Sequence, residues 1–342
     1  MQTKVLVATH SYCGNGAAVM LLALLGHWAR DLGWIVDVLL DIDSEVPPDL
    51  ANIGVNIFST AVPEDYDFAL VNTLVSSHFL EMFGSRVPTV LWVHEGATVL
   101  WSSTMVPEQW RQLFGRAIRI IFQSSWQSES VFRSFLFPLP AGTVACVRNG
   151  LPALPENLVP KARAATRKRI VFVGGVCGRK RPQDLIDVVL SLGRSDIECV
   201  FVGSTEAIHT IGAEYVDKIK ARPDCFVLAG ELERRATLEY LGSADVFCLP
   251  SGDESQPIAP VEAAVLGVPC LLSDLPPYAG TWKHGHNCLL SPVGDVGKLQ
   301  GNLTTLLGDS ATRHRVIAGG REVAEQFSMA AFLQRFDAEM PV

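Results

Sequence analysis

Short apolar runs alternate with stretches of helical period along most of this chain. Residues 5–8, 35–40, 68–71, 90–93, 118–122 and 144–147 read as strands, and residues 16–31 and 128–137 fit helices. Residues 151–169 break the pattern with Pro152, Pro155, Pro160 and a basic cluster. The alternation resumes with apolar runs at 170–173, 199–202, 226–228, 246–249 and 270–272. Strand–helix alternation of this kind predicts parallel sheets covered by helices. Two such series predict an α/β protein of two Rossmann-like domains facing each other across a central cleft. The expected boundaries are 1–155 for the first domain, 156–168 for a linker, 169–327 for the second domain and 328–342 for a terminal helix free to return to the first.

Composition narrows the class. At 342 residues the chain is too long for one ordinary core. Hydrophobic residues make up 48% and charged residues 19%, as in globular proteins. A net charge of -8 without a long basic block argues against nucleic-acid binding and against electrostatic attachment to anionic lipid. Cys13, Cys146, Cys177, Cys199, Cys225, Cys248, Cys270 and Cys288 are scattered without a Cys-x-x-Cys pair, which speaks against zinc or redox sites. Several lie within apolar runs, as buried thiols of a reducing cytosol would. The N-terminus reads as a strand and not a signal peptide. The apolar helix at 17–25 is too short to span a bilayer. The expected location is cytoplasmic, with peripheral membrane contact left open.

In open parallel sheets, ligands bind beyond the carboxyl ends of the strands. The unusual polar residues fall there, at 10–16, 94–96, 149–150, 174–181 and 253–256. Glu254 follows the apolar run 246–249 in a polar turn, and Pro257 fits the first position of the next helix. Glu262 lies within that helix and is the sole charge between Glu254 and Asp274. A carboxylate among alanines and valines needs polar partners. Vicinal sugar hydroxyls would serve.

This spacing of two glutamates resembles the retaining nucleotide-sugar glycosyltransferases of family 4, the glycosyl transferases group 1, which have the GT-B fold. The "PS" ending of the preceding strand and the following "EA-x-x-x-G-x-P" pattern resemble that family too. The resemblance implies that Glu254 touches the donor sugar and that Glu262 binds the nucleotide ribose. The Phe-Gly usual after the first glutamate is replaced by Gln256 and Pro257, followed by Ile258, so the donor loop departs from the family. Without the resemblance, Asp253 and Glu254 read as acids complementing a helix N-terminus.

Gly174, Gly175, Gly178, Arg179, Lys180 and Arg181 stand between the run 170–173 and a helix expected over 182–192. Cations at a helix N-terminus are unfavourable unless an anion binds among them. Lys180 fits the family's donor-phosphate lysine, and Gly175 occupies the family's arginine position. Arg179 and Arg181 are candidates to replace that arginine. A solvated charge run is the plainer reading. Gly14 and Gly16 open a helix after the first strand, where small residues allow close approach of a phosphate or sugar. A tight turn explains them equally. The dinucleotide fingerprint fails because its third glycine is Val19.

His94 ends a strand and precedes Glu95 and Gly96. The family often has a histidine here that contacts the donor sugar; His10 is a lesser candidate. Asp41 and Asp43 resemble a metal-binding Asp-x-Asp pair, but their early position reads as a solvated loop. No metal or other cofactor is expected. Trp126, Phe132, Phe135 and Phe137 suggest a core-facing helix more than a membrane-contacting one.

Together these features imply a metal-independent hexosyltransferase-like enzyme. The resemblance further implies that it moves a sugar, with retention, from a nucleoside-diphosphate sugar to a glycan, lipid or small-molecule acceptor. His94, Lys180 and Glu254 are the expected catalytic residues. No side-chain nucleophile stands out, which suits a front-face mechanism. The rivals are a sugar-nucleotide epimerase and a non-catalytic nucleotide-sugar binder. A thermal-shift screen against nucleotide sugars separates donor classes.

Overall fold

In a computed structural model that describes residues 2–10, 16–40, 50 and 52–342, the chain divides into two compact units. One comprises Met1–Pro152 and Met329–Val342, the other Ala153–Ser328. The strands of the first unit are β1 (Lys4–Thr9), β2 (Ile35–Leu40), β3 (Asn56–Phe58), β4 (Phe68–Asn72), β5 (Thr89–Val93), β6 (Arg119–Phe122) and β7 (Val144–Cys146). They form one sheet in the order β3-β2-β1-β4-β5-β6-β7. The second unit has β8 (Lys168–Val173), β9 (Ile197–Val202), β10 (Phe226–Gly230), β11 (Val246–Leu249), β12 (Cys270–Ser273) and β13 (Leu289–Ser291). Their order is β10-β9-β8-β11-β12-β13. Every pairing in both sheets is parallel.

Parallel sheets are covered on both faces, so their strands are apolar at successive positions and not alternate ones. Val5, Leu6, Val7 and Ala8 of β1 are all fully buried, as are Val90 to Val93 of β5. Strand order reverses direction between β1 and β4 and between β8 and β11. At such a reversal the loops leave to opposite sides and open a crevice at the carboxyl ends.

Four local expectations need correction. The stretch 128–137 is not one helix: Gln127–Val131 is a π-helical turn and Arg133–Phe135 a 3₁₀ turn. Ser128 Oγ donates back to the Ser125 carbonyl, and Pro138 disfavours helical geometry at Phe137. Phe132 is buried between Phe114 and Phe122, whereas Phe137 is 78% exposed. The helix expected from Pro257 begins at Ala259 and runs to Val265, with Pro260 as its early proline. The edge strands β3 and β13 add to those expected; each has three residues, too few to show a period. The helix expected over 16–31 is Gly16–Gly26 continued by a π-helical turn, His27–Asp31.

The terminal helix Met329–Asp337 packs on the first unit through aromatic rings. The Phe332 and Phe336 centroids lie 5.7 and 4.6 Å from that of Trp92. Asp337 accepts hydrogen bonds from Trp28 Nε1 at 2.8 Å and from His27 Nε2 at 2.9 Å. Gly150 permits this approach, because a Cβ there would come within 2.8 Å of Met329 Cα. Residues 156–168, read as a linker, are held to the second unit. Lys161 N donates to the Glu239 carbonyl at 2.8 Å, and Arg163 pairs with Asp245 at 2.9 Å. Among the described residues, no helix is long and apolar enough to cross a membrane.

Candidate functional site

The second unit gathers its unusual residues at the carboxyl ends of β8 and β11, the two strands flanking the reversal. The loop after β8 carries Gly174 to Arg181, and the loop after β11 carries Ser251 to Ile258. Two backbone-directed bonds stitch them together. Gly252 N donates to the Arg179 carbonyl at 2.8 Å, and Arg179 Nη1 donates to the Asp253 carbonyl at 2.7 Å. Lys180 Nζ then reaches Glu254 Oε1 at 2.6 Å.

Gly174 makes that reach possible. Its φ is +139°, and a Cβ there would lie 3.2 Å from Lys180 Cε. Only glycine adopts this backbone freely while leaving the lysine chain its path. Glu254 is buried, and Ser251 Oγ also donates to its Oε1, at 2.7 Å. Burial alone would raise the Glu254 pKa. The charges of Lys180 and Arg179, with the hydrogen bonds from Lys180 and Ser251, outweigh it and hold the carboxyl below its ordinary range.

The three cations are therefore not a solvated run, and each already has a protein partner. Lys180 and Arg179 serve the Glu254 loop, with Arg179 Nη1 3.7 Å from Glu254 Oε2. Arg181, left-handed at φ 50°, donates to both oxygens of Asp184 at 2.8 and 3.0 Å. Asp184 lies in the first turn of the helix Pro182–Ser191, where a carboxylate suits the helix dipole. Gly175 sits in open space: a Cβ there would meet only the Ser204 carbonyl oxygen, at 3.9 Å. Gln256 and Pro257 are half-buried in the loop, and Ile258 is the residue preceding the helix Ala259–Val265.

Glu262 is isolated in sequence but not in space. Arg234, which opens the helix Arg234–Gly242, places Nε and Nη2 each 3.0 Å from Glu262 Oε1. Burial raises the Glu262 pKa, and Arg234 opposes it without cancelling it. An arginine at a helix start is the signal the sequence offered, as it did for Lys180. Ser251, beside Glu254, offered none beyond its place in a polar turn.

His94 belongs to the first unit, at the end of β5. Its Nδ1 accepts from Gln123 Nε2 at 2.6 Å, and its Nε2 donates to Asn72 Oδ1 at 2.8 Å. These bonds fix the neutral Nε2–H tautomer. Burial, and then the charge of His10, push its pKa down to about 3. Glu95 accepts from the backbone N–H of Leu74 at 2.8 Å and of His94 at 3.0 Å. His10 Nδ1 meets Thr73 Oγ1 at 3.0 Å. Asn72 and Gln123 are buried polar residues ending or following apolar strands, a pattern the sequence carried unread. Gly16 opens its helix and is exposed, whereas Gly14, Asp41 and Asp43 lie outside the described residues. Among the described residues, no group of three His, Cys, Asp or Glu side chains could hold a metal ion.

Comparison with known proteins supplies the context. Residues 155–323 match the family model "Glycosyl transferases group 1". A phosphatidyl-myo-inositol mannosyltransferase of Mycobacterium leprae is 33% identical over 135 residues, which is 39% of this chain and 34% of that protein. A D-inositol 3-phosphate glycosyltransferase of Jonesia denitrificans is 26% identical over 168 residues, 46% of this chain and 39% of that protein. The match thus spans well under half the length of either relative. In three dimensions the chain is similar to Anabaena HepE, solved with UDP and glucose. The TM-score is 0.81 at 16% identity, covering 98% of this chain and 99% of that one. Sucrose-phosphate synthase from Thermosynechococcus elongatus gives 0.76 at 17% identity, covering 98% of both chains. The fold is of the GT-B class. The residues matched by that family model include Gly175, Arg179, Lys180, Arg181, Glu254 and Glu262.

Proposed function

We propose that this chain is a retaining glycosyltransferase that uses a nucleoside-diphosphate sugar and needs no metal ion. The observation that carries the reading is the Lys180–Glu254 pair, set where the loops of β8 and β11 part. A donor diphosphate draws Lys180 and Arg179 toward its oxygens. Glu254 then faces the sugar hydroxyls, and Glu262 the ribose hydroxyls. As the bond between the anomeric carbon and the diphosphate oxygen breaks, charge gathers on the leaving group. Lys180 stabilises that charge more than the ground state, and this raises turnover. The acceptor oxygen bonds to the same face of the anomeric carbon and gives its proton to the departing phosphate.

The acceptor is a hydroxyl of a glycan, lipid headgroup or small molecule. Thermal-shift measurements with UDP-, GDP-, ADP- and TDP-sugars test the donor class. Ligand at a hundredfold excess over its Kd stabilises by about 2.7 kcal/mol. Transfer or hydrolysis of the bound sugar in the presence of chelator, with retained anomeric configuration in the product, supports the whole reading. No response to any nucleotide sugar sinks it. Binding without transfer or hydrolysis favours the non-catalytic rival, for which Gly175, Gln256 and Pro257 speak as departures from the family.

A further inference from the structure

Tyr278 is the residue beside this site whose state is unexplained. It closes a 3₁₀ turn, Pro276–Tyr278, just beyond β12. β12 pairs with β11, whose following loop carries Ser251 and Glu254. The side chain is 3% exposed, and its buried hydroxyl has no hydrogen-bond partner among the described residues. Burial first, and then the nearby charge of Glu254, push the phenol well above its ordinary range, so it remains an O–H donor. A buried hydroxyl without a partner is destabilising, and such groups are few in folded proteins. Glu254 meanwhile takes the bonds from Lys180 and Ser251 on the same oxygen, Oε1.

We infer that Tyr278 is a positioning residue for Glu254: when Lys180 turns to the donor's diphosphate, the Tyr278 hydroxyl donates to Glu254 in its place. The inference rests on the proposed role of Lys180 toward diphosphate. The departure of Lys180 would otherwise strand a buried carboxylate, which is costly. The unpaired hydroxyl is then a donor held in reserve. It lets the cation leave without the carboxylate losing its place against the sugar.

A double-mutant cycle on the ligand-free protein tests this without any substrate. Tyr278→Phe should leave the stability of the wild type unchanged or slightly raised. In a Lys180→Met background, where Glu254 has already lost its cation, the same substitution should raise the unfolding equilibrium constant roughly tenfold or more, as for a hydrogen bond to a charged group. Equal effects in the two backgrounds overturn the inference and leave the donor reading untouched. A second measurement uses folded wild-type protein, with inorganic pyrophosphate as the probe. Pyrophosphate should raise the melting temperature and shift the ring NMR signal of Tyr278, identified by its loss in Tyr278→Phe. In Glu254→Gln that shift should shrink. Bound pyrophosphate that leaves the Tyr278 signal unmoved overturns the inference alone. Failure of pyrophosphate to bind removes the trigger and counts against the donor reading as well.

Discussion

Lys180 Nζ lies 2.6 Å from Glu254 Oε1, joining two loops that are 74 residues apart in sequence. One contact therefore couples the stability of the second unit to the chemistry proposed for it. Lys180→Met should destabilise by about 3 kcal/mol, the lower end for breaking a buried pair, less whatever Tyr278 recovers. Turnover per folded molecule should fall roughly a hundredfold, as when one preorganised donor is removed. Arg179→Met should be milder, because its approach to Glu254 is 3.7 Å and its side chain is 37% exposed. Calorimetric melting and turnover on the same samples separate the two effects. Wild-type turnover in Lys180→Met beside a dead Arg179→Met would move the phosphate role to the other cation.

Gly175 stands where the resembled family has arginine, and the space around it is open. Gly175→Arg should fold with little change in melting temperature. It should tighten nucleotide-sugar binding roughly tenfold, the scale of one added charge-assisted hydrogen bond. Titration calorimetry reads the affinity. A loss of binding in a well-folded variant would show that the loop has been rebuilt around the missing side chain.

Glu262, proposed to bind the ribose, pairs with Arg234. Glu262→Gln should weaken binding of the whole nucleotide sugar and of the bare nucleoside alike, whereas Lys180→Met should weaken only the former. Arg234→Met should raise the Glu262 pKa further. A carboxyl with a raised folded pKa costs stability above its unfolded value, near about 4.3. That variant should therefore lose more stability than the wild type as pH rises from about 4.3 toward neutrality. Parallel urea midpoints across that window would falsify the pairing.

Two histidines of the first unit should pull its pH dependence in opposite directions. His27 lies 2.9 Å from both Asp31 and Asp337. Burial opposes its proton, but the two carboxylates prevail and raise its pKa. Its contribution is full below the unfolded value, about 6.5, and is lost as pH rises through the folded value. His94, pushed to about 3, contributes fully above the unfolded histidine value and loses stability as pH falls from there toward 3. His27→Gln should flatten the alkaline side of the stability profile and His94→Gln the acid side. NMR of His94 should show no titration between about pH 5 and 8, the range of an unperturbed histidine.

The fold class was legible because doubly covered parallel strands are apolar at successive positions, and 246–249 or 90–93 cannot be mistaken for loop. The edge strands β3 and β13 were not, each having only three residues; the equally short β7 was marked by an apolar run that continues to Val147. Lys180 and Glu254 were legible one by one, as a cation before a helix and an acid after a strand. Their union was not: 74 residues separate them, and pairing at that distance is fixed by strand order. Glu262 misled for the same reason. Its isolation along the chain concealed Arg234, which arrives from the preceding helix. The aromatic run near Phe132 misled because serines and Pro138 spoil a helix that ring spacing alone would allow.

The terminal helix has a consequence for synthesis. The second unit is one unbroken stretch of chain, Ala153–Ser328, whereas the first is assembled from both ends. On the ribosome, Trp28 and Trp92 are made early, but the rings that cover them, Phe332 and Phe336, emerge only after the whole second unit. The later-made unit can thus finish folding before the earlier-made one. Until residue 337 leaves the exit tunnel, the nascent chain carries an open aromatic face, a binding opportunity for chaperones and a liability in any copy that stops short.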